Sequence, residues 1–160
     1  MNKSLLFFDY EKCFECYAEK ILNIRQAKIQ GEVIVAKPVF LLTLFEAIES
    51  NVFTSNRFVL NDRLEERYSS LMSLYTKKTL FEKTAGIEKP FWHLETDGFW
   101  HLNYQGERLS KERTQSKAWL KENVLFAYLD EDLWVLLENK EWRMKLRNFI
   151  IEHKLQAAEI

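Results

Sequence analysis

KPVFLLTLFEAIE, at residues 37–49, is the stretch that decides the fold of this 160-residue chain. Its positions from Val39 to Ile48 are apolar almost all round, which is typical of a helix that is buried on most sides. Pro38 suits the first turn of such a helix, because the missing N–H of proline needs no partner there. The stretch therefore predicts a central helix around which the rest of the chain packs.

Four further helices are predicted from apolar residues at helical spacing. One lies within Asp9–Gln30, and one follows Asp62, with Asp62 as N-cap and Glu65 completing a capping box. The others begin at about Asp130 and Lys140. Two cysteines, Cys13 and Cys16, share the first of these helices; with no second pair to complete a zinc site, they are expected to be buried thiols.

The segment PFWHLETDGFWHLN, at residues 90–103, predicts a β-hairpin with a three-residue loop at Thr96-Asp97-Gly98. One face of the hairpin should pack on the core through Trp92, Leu94, Trp100 and Leu102. The other face should be open, and it carries Phe91, His93, Glu95, Phe99, His101 and Asn103.

His93 and His101 then become cross-strand neighbours on the open face. Val124–Leu129 predicts another strand, which could lie beside the hairpin. The fold class expected is α+β: a mainly helical single domain around a buried central helix, with a small antiparallel β-sheet.

Composition and motifs favour binding over catalysis. The net charge is −1, glycines and prolines number only 4 and 2, and the sequence contains no P-loop, GxGxxG or GxSxG pattern. We therefore expect a protein that is not an enzyme and uses no cofactor. A metal-assisted hydrolase built on His93 and His101 remains a rival, although the spacing of metalloprotease motifs is missing.

The apolar run near the N-terminus is too short for the core of a signal peptide. No apolar run in the sequence approaches the roughly 20 residues that span a bilayer. With only two cysteines, a reducing compartment and a cytoplasmic location are expected.

Two groups of cations are candidates for phosphate contact. Arg113, Lys117 and Lys121 are spaced to share one face of a helix, where they could be solvated or could meet a nucleic-acid backbone. Lys37 precedes the central helix, whose N-terminus already favours anions.

Taken in order, KPVFLLTLFEAIE, PFWHLETDGFWHL and YLDEDLWVLL resemble the N-terminal recognition module of HNH restriction endonucleases. More distantly, they resemble the sulfur-binding domain that recognises phosphorothioate DNA in modification-dependent restriction enzymes. The likeness spans about residues 30–155. It implies DNA binding, with the nuclease supplied by a separate HNH domain. It also implies a shallow apolar pocket for sulfur, lined by proline and aromatic carbons and surrounded by cationic or polar groups.

The resulting hypothesis is that residues 1–160 form one DNA-recognition domain without a nuclease, whose partner is double-stranded DNA, with phosphorothioate as the candidate modification. The predicted contacts are Lys37, Pro38, Phe91, His93, Phe99, His101, Arg113, Lys117 and Lys121. Pro38, Phe91 and Phe99 would make apolar contacts, and the others would meet phosphates or bases. The alternative is a protein-interaction module that recruits a nuclease or subunit through an exposed Phe91/Phe99 face.

Overall fold

The computed structural model describes residues 7–29, 31–76 and 86–155, and these contain seven α-helices and two small antiparallel sheets. In chain order the elements are α1 (Tyr10–Leu22), β1 (Lys28–Ile29), β2 (Glu32–Val33), α2 (Ala36–Glu49), α3 (Asp62–Tyr75), α4 (Glu88–His93), β3 (Trp100–Tyr104), α5 (Lys117–Asn123), β4 (Val124–Leu129), α6 (Glu131–Glu138) and α7 (Lys140–Ile150). A 3-10 helix, Leu94–Asp97, follows α4, and a π-helical turn, Ile151–Leu155, follows α7. The predicted α+β, mainly helical fold is confirmed.

Helix α2 is the centre of the molecule. Eleven of its fourteen residues are buried, and it packs against α3, α4, α6 and α7. Phe40 meets the rings of Tyr68, Phe91 and Trp100 edge-on, with centroids 6.5, 6.1 and 5.3 Å away. The buried indole N–H of Trp100 donates to the Phe91 carbonyl oxygen at 2.9 Å. Trp100 is therefore buried without leaving its polar N–H unpaired.

Several predicted helix boundaries shift. Helix α2 begins at Ala36, which leaves Pro38 as its third residue, still within the first turn. The prediction of Asp62 as N-cap is wrong by one residue: Asn61 holds that position, and its Oδ1 accepts from the Leu64 N–H at 2.9 Å. Helix α1 ends at Leu22, well before residue 30, which lies outside the described residues.

The expectation of two buried thiols holds for one cysteine only. Cys13 is buried, but Cys16 is exposed. Three residues advance a helix by less than a full turn, and this is enough to carry Cys16 off the packed face of α1.

The predicted hairpin at residues 90–103 is wrong in its first half. Residues 88–97 are helical, and only Trp100–Tyr104 forms a strand, which pairs with β4 in the register Trp100↔Leu129 and Leu102↔Ala127. Pro90 is the third residue of α4, where it has no helical hydrogen bond to lose. Gly98 adopts the expected left-handed conformation, with φ of 94°, at the end of the 3-10 helix.

The core face predicted for this segment is confirmed even though its backbone differs. Trp92, Leu94, Trp100 and Leu102 are all buried. Within the part of the chain described, no helix is long and apolar enough to cross a membrane.

The central position of Phe40 gives a stability prediction. Phe40→Ala removes a ring that is fully buried among three aromatic neighbours, and should lower the free energy of unfolding by about 4 kcal/mol. Urea denaturation measures this change. Leu74→Ala, at an exposed position of α3, is the matched control and should alter stability by less than about 0.5 kcal/mol. Equal effects at both positions would contradict the assignment of α2 as the core.

Candidate functional site

A groove of about 750 Å³ opens where six segments meet. They are the turn after α1, the β1–β2 hairpin, the start of α2, helix α4, the 3-10 helix and the loop that precedes α5. We call it the Pro90 pocket, after the proline that α4 contributes to its wall. Its apolar lining is Ala27, Ile29, Ile34, Ala36 and Pro90, and its cationic lining is Arg25, Lys37, Lys89 and Lys111.

Two hydrogen bonds, one of them from a side chain, fix the apolar wall. The Ile34 N–H donates to the Ala27 carbonyl oxygen at 2.8 Å, beyond the ladder of the β1–β2 hairpin. Gln26 Nε2 then donates to the Ile34 carbonyl oxygen at 3.1 Å. These bonds hold Ala27 and Ile34 side by side, which keeps that side of the pocket apolar.

Lys37 enters the pocket as half of an ion pair. Its Nζ lies 2.6 Å from Asp97 Oδ2, and the two side chains are only 13% and 5% exposed. Asp97 Oδ1 also accepts from the Arg25 backbone N–H at 2.9 Å. Asp97 therefore neutralises Lys37 and joins the turn after α1, the start of α2 and the end of the 3-10 helix. Lys37, a predicted phosphate contact, is therefore neither solvated nor unpaired.

His93 faces the same pocket from α4. Its Nε2 lies 2.7 Å from Thr114 Oγ1, on the loop before α5. Burial lowers the pKa of His93 below its ordinary value, and the positive charges of Lys37, Lys111 and Lys89 lower it further. The imidazole is therefore neutral near pH 7, and it can exchange a hydrogen bond without adding charge.

Lys111 is anchored to the end of α4 and to Glu95. Its Nζ donates to the Trp92 carbonyl oxygen at 3.0 Å, pairs with Glu95 Oε1 at 2.8 Å, and lies 3.3 Å from the centroid of the Trp92 ring. Burial lowers the pKa of Lys111, although Glu95 opposes that shift. Its position is set by several bonds at once, so Lys111 presents a fixed rather than a mobile charge to the pocket.

Glu95 organises the loop that carries Lys111. Its Oε2 accepts from the Leu102 N–H at 2.8 Å and from Arg108 Nη2 at 2.7 Å. Burial alone would raise the pKa of Glu95, but Lys111, Leu102 and Arg108 together lower it. One carboxylate thus holds both ends of the segment between Arg108 and Lys111.

Three predicted apolar contacts lie elsewhere. Pro38 is buried in the core and does not line the pocket, where Pro90 supplies the proline wall. Phe91 and Phe99 are 1% and 0% exposed, so the expectation that they form an open face is wrong. The helical course of α4 turns Phe91 against Phe40, and Phe99 packs edge-on against Tyr17.

His101 and His93 are not neighbours. Since no strand forms at residue 93, His101 pairs instead with Tyr128 across the β3–β4 ladder, and its Nε2 lies 2.6 Å from Asp130 Oδ1. It does not line the Pro90 pocket. The metal-assisted hydrolase was based on His93 and His101 as neighbours, and the structure separates them. Among the described residues, no group of three or more histidine, cysteine or acidic side chains is placed to hold a metal ion.

The three predicted cations of residues 113–121 do not form one helical stripe. Helix α5 begins at Lys117, and Arg113 lies exposed in a bend before it. Lys117 pairs with Glu65 of α3, and Lys121 Nζ lies 3.8 Å from Glu65 Oε2 and 4.0 Å from Asp62 Oδ1. Lys117 and Lys121 therefore face α3, whereas Arg113 directly precedes the pocket residue Thr114.

Sequence reasoning missed several residues of the pocket, among them Arg25, Lys89, Pro90 and Lys111, and also Asp97, which pairs with Lys37. Pro90 could have been predicted from the sequence, because it begins the motif PFWHL and the resemblance implies a proline in the pocket wall. Nothing local in the sequence marks Arg25 or the β1–β2 hairpin, because only the folded chain brings them to α4.

A family model described as a ScoMcrA-like DNA sulfur-binding domain matches residues 16–159. The matched range includes every segment that lines the Pro90 pocket. No curated protein matches the chain.

The Lys37–Asp97 pair gives a second stability prediction. Asp97→Ala leaves a largely buried ammonium group and the Arg25 N–H without their acceptor, and should lower the free energy of unfolding by about 3 kcal/mol. Adding Lys37→Met removes the uncompensated charge and should recover part of this loss. Urea denaturation of the two single variants and the double variant tests this cycle, and strictly additive losses would show that the pair does not interact.

The pKa of His93 gives a pH prediction. Because the folded state lowers this pKa below the unfolded value of about 6.5, the unfolded chain binds the proton more readily. The stability contribution is therefore complete above about pH 6.5 and is lost as the pH falls below it. Unfolding free energies between about pH 7.5 and 5 should decline more steeply for the unmodified protein than for His93→Gln. Parallel curves would show that His93 titrates as it does in the unfolded chain.

Proposed function

The chain belongs to the family of ScoMcrA-like DNA sulfur-binding domains, and from this premise we propose that it binds double-stranded DNA with a phosphorothioate sulfur seated in the Pro90 pocket. The observation that carries the proposal is one groove that combines an apolar wall with a cationic rim. An anionic linkage that carries one weakly hydrated atom fits both features at the same point of contact.

The apolar wall suits sulfur better than oxygen. A sulfur atom is larger than a phosphate oxygen and less strongly hydrated, so moving it from water against Ile29, Ile34 and Pro90 costs less. The neutral His93 and the Lys37–Asp97 pair add polarity without a full unpaired charge. This combination favours the modified linkage over the ordinary one.

The rim supplies attraction for the DNA backbone. Arg25 and Lys89 line the pocket, Lys28 lies in β1 between two lining residues, and Arg113 precedes Thr114. All four are exposed, and within the described ranges none forms an ion pair. Lysine and arginine side chains in this state release counterions from DNA when they meet its phosphates, which favours binding to any sequence.

We further propose that the chain is the recognition module of a modification-dependent restriction system, in which a nuclease domain or a partner subunit cuts the DNA. The buried state of Phe91 and Phe99 removes the surface on which the protein-interaction alternative was based. Of the nine residues predicted from the sequence, His93 and Arg113 remain as proposed contacts, and Lys37 becomes a residue that shapes the pocket.

Fluorescence anisotropy with two duplexes that differ in a single phosphorothioate tests the proposal. The modified duplex should bind more tightly, and the affinity for both should fall steeply with salt. Lys89→Ala should weaken both complexes. It should also reduce the slope of log affinity against log salt concentration by about the value of one phosphate contact. Lys145→Ala, an exposed cation of α7 outside the pocket, is the matched control and should change neither.

A separate substitution tests the preference for sulfur. Ile29→Ser reduces the apolar wall, and should bring the ratio of the two affinities several-fold closer to one while affinity for the plain duplex changes little. Val59→Ser, at a similarly exposed position outside the pocket, should leave the ratio intact. Equal affinity for the two duplexes would refute the role of the pocket in binding sulfur, but it would still support DNA binding. No binding to either duplex would refute the proposed function.

A further inference from the structure

A second concave surface, of about 740 Å³, shares no lining residue with the Pro90 pocket. It covers the outer face of the β3–β4 sheet, where the ladder places His101 opposite Tyr128 and Asn103 opposite Phe126. Because side chains alternate between the two faces of a strand, these four share one side. We call them the sheet face. The inner side of the same strands carries the core residues Trp100, Leu102, Ala127 and Leu129.

Planar groups follow one another along the sheet face. The rings of His101 and Tyr128 have centroids 5.0 Å apart and are tilted by 34°, and Phe126 follows at 5.9 Å from Tyr128. The guanidinium carbon of Arg57 then lies 4.5 Å from the centroid of Phe126. Tyr128 is 38% exposed and open to solvent, whereas Phe126 is half-buried and carries the Arg57 guanidinium over its ring.

The position of Arg57 is fixed by the backbone on both sides of it. Asn56 exchanges two hydrogen bonds with the backbone of Leu129, at 2.7 and 2.8 Å. Phe58 exchanges two with the backbone of Ala127, each 2.7 Å long. The segment is therefore held at the edge of β4 by one isolated β-bridge and by the Asn56 side chain, and a ligand at Arg57 need not order the chain that carries it.

The charge on this surface is uneven. Arg57 is exposed and forms no ion pair within the described part of the chain, and Arg108 presents a guanidinium 61% exposed above the Tyr104 ring. Glu131 lines the same surface and repels phosphate. Anionic groups are thus drawn chiefly to Arg57, because Arg108 already pairs with Glu95. Tyr128 offers an aromatic ring, and the exposed Asn103 side chain forms no hydrogen bond within the described residues.

We propose that the sheet face binds single-stranded nucleic acid, with an unpaired base stacked on Tyr128 and a phosphate at Arg57, which Phe126 supports from below. Stacking on an aromatic ring is open to every base, because each base has a π-face, and a nearby cation retains the backbone. Bases within a duplex are stacked on one another and cannot present that face. This activity is separate from the proposed binding of modified duplexes in the Pro90 pocket.

Anisotropy of a fluorescein-labelled single strand of about ten nucleotides tests the proposal. The unmodified protein should bind it in a salt-dependent manner. Tyr128→Ala should weaken binding about tenfold, whereas Tyr128→Phe keeps the ring and should bind like the unmodified protein. Arg57→Ala should weaken binding and flatten the salt dependence. Leu125→Ala, which truncates another exposed side chain of β4, is the control and should bind normally.

Three results would overturn the proposal. The first is no binding of the single strand by the unmodified protein. The second is undiminished binding by Tyr128→Ala with an unchanged urea midpoint. The third is an equal loss of duplex binding in Tyr128→Ala, which would make the sheet face part of the duplex interface. Lys89→Ala should lose affinity for the duplex and keep its affinity for the single strand. The two proposals can therefore fail independently of each other.

Discussion

The candidate site depends on one buried carboxylate. Asp97 receives the Lys37 ammonium group at 2.6 Å and the Arg25 N–H at 2.9 Å, and it stands directly before the left-handed Gly98. A charge that is 5% exposed is costly unless it is paired, and this requirement brings the turn after α1, the start of α2 and the end of the 3-10 helix to one point. Each of these three segments contributes residues to the wall of the Pro90 pocket.

Glu95 plays the corresponding role for the loop that borders both surfaces. It holds Arg108, which lines the concave surface of the sheet face, and Lys111, which lines the Pro90 pocket. Two sites with different chemistry thus share one support: an apolar wall with a cationic rim on one side, and exposed rings with an arginine on the other. Fixed carboxylates inside the fold leave the outer cations Arg25, Lys89 and Arg57 available for phosphate.

The sequence was sufficient for the elements that depend on local pattern. The apolar run around Phe40 predicted the central helix, and helical spacing predicted α3, α6 and α7, because periodic burial is visible in a single chain. Residues 90–97 were misassigned because their apolar alternation fits a strand as well as a short helix, and only packing against α2 decides between them. The resemblance indicated a proline-walled pocket, but its assignment to Pro38 failed since that proline points into the core. The pairing of Lys37 with Asp97, sixty residues apart, has no local signal at all.

The central claim is that duplex DNA with a phosphorothioate meets the protein at the Pro90 pocket. Backbone amide chemical shifts of ¹⁵N-labelled protein, recorded while such a duplex is added, locate the contact residue by residue. The account predicts that the largest changes fall within residues 25–29, 34–37, 89–96 and 110–114, and that they are larger than with the unmodified duplex. Changes centred on α7, or on the sheet face with the pocket unaffected, would contradict it.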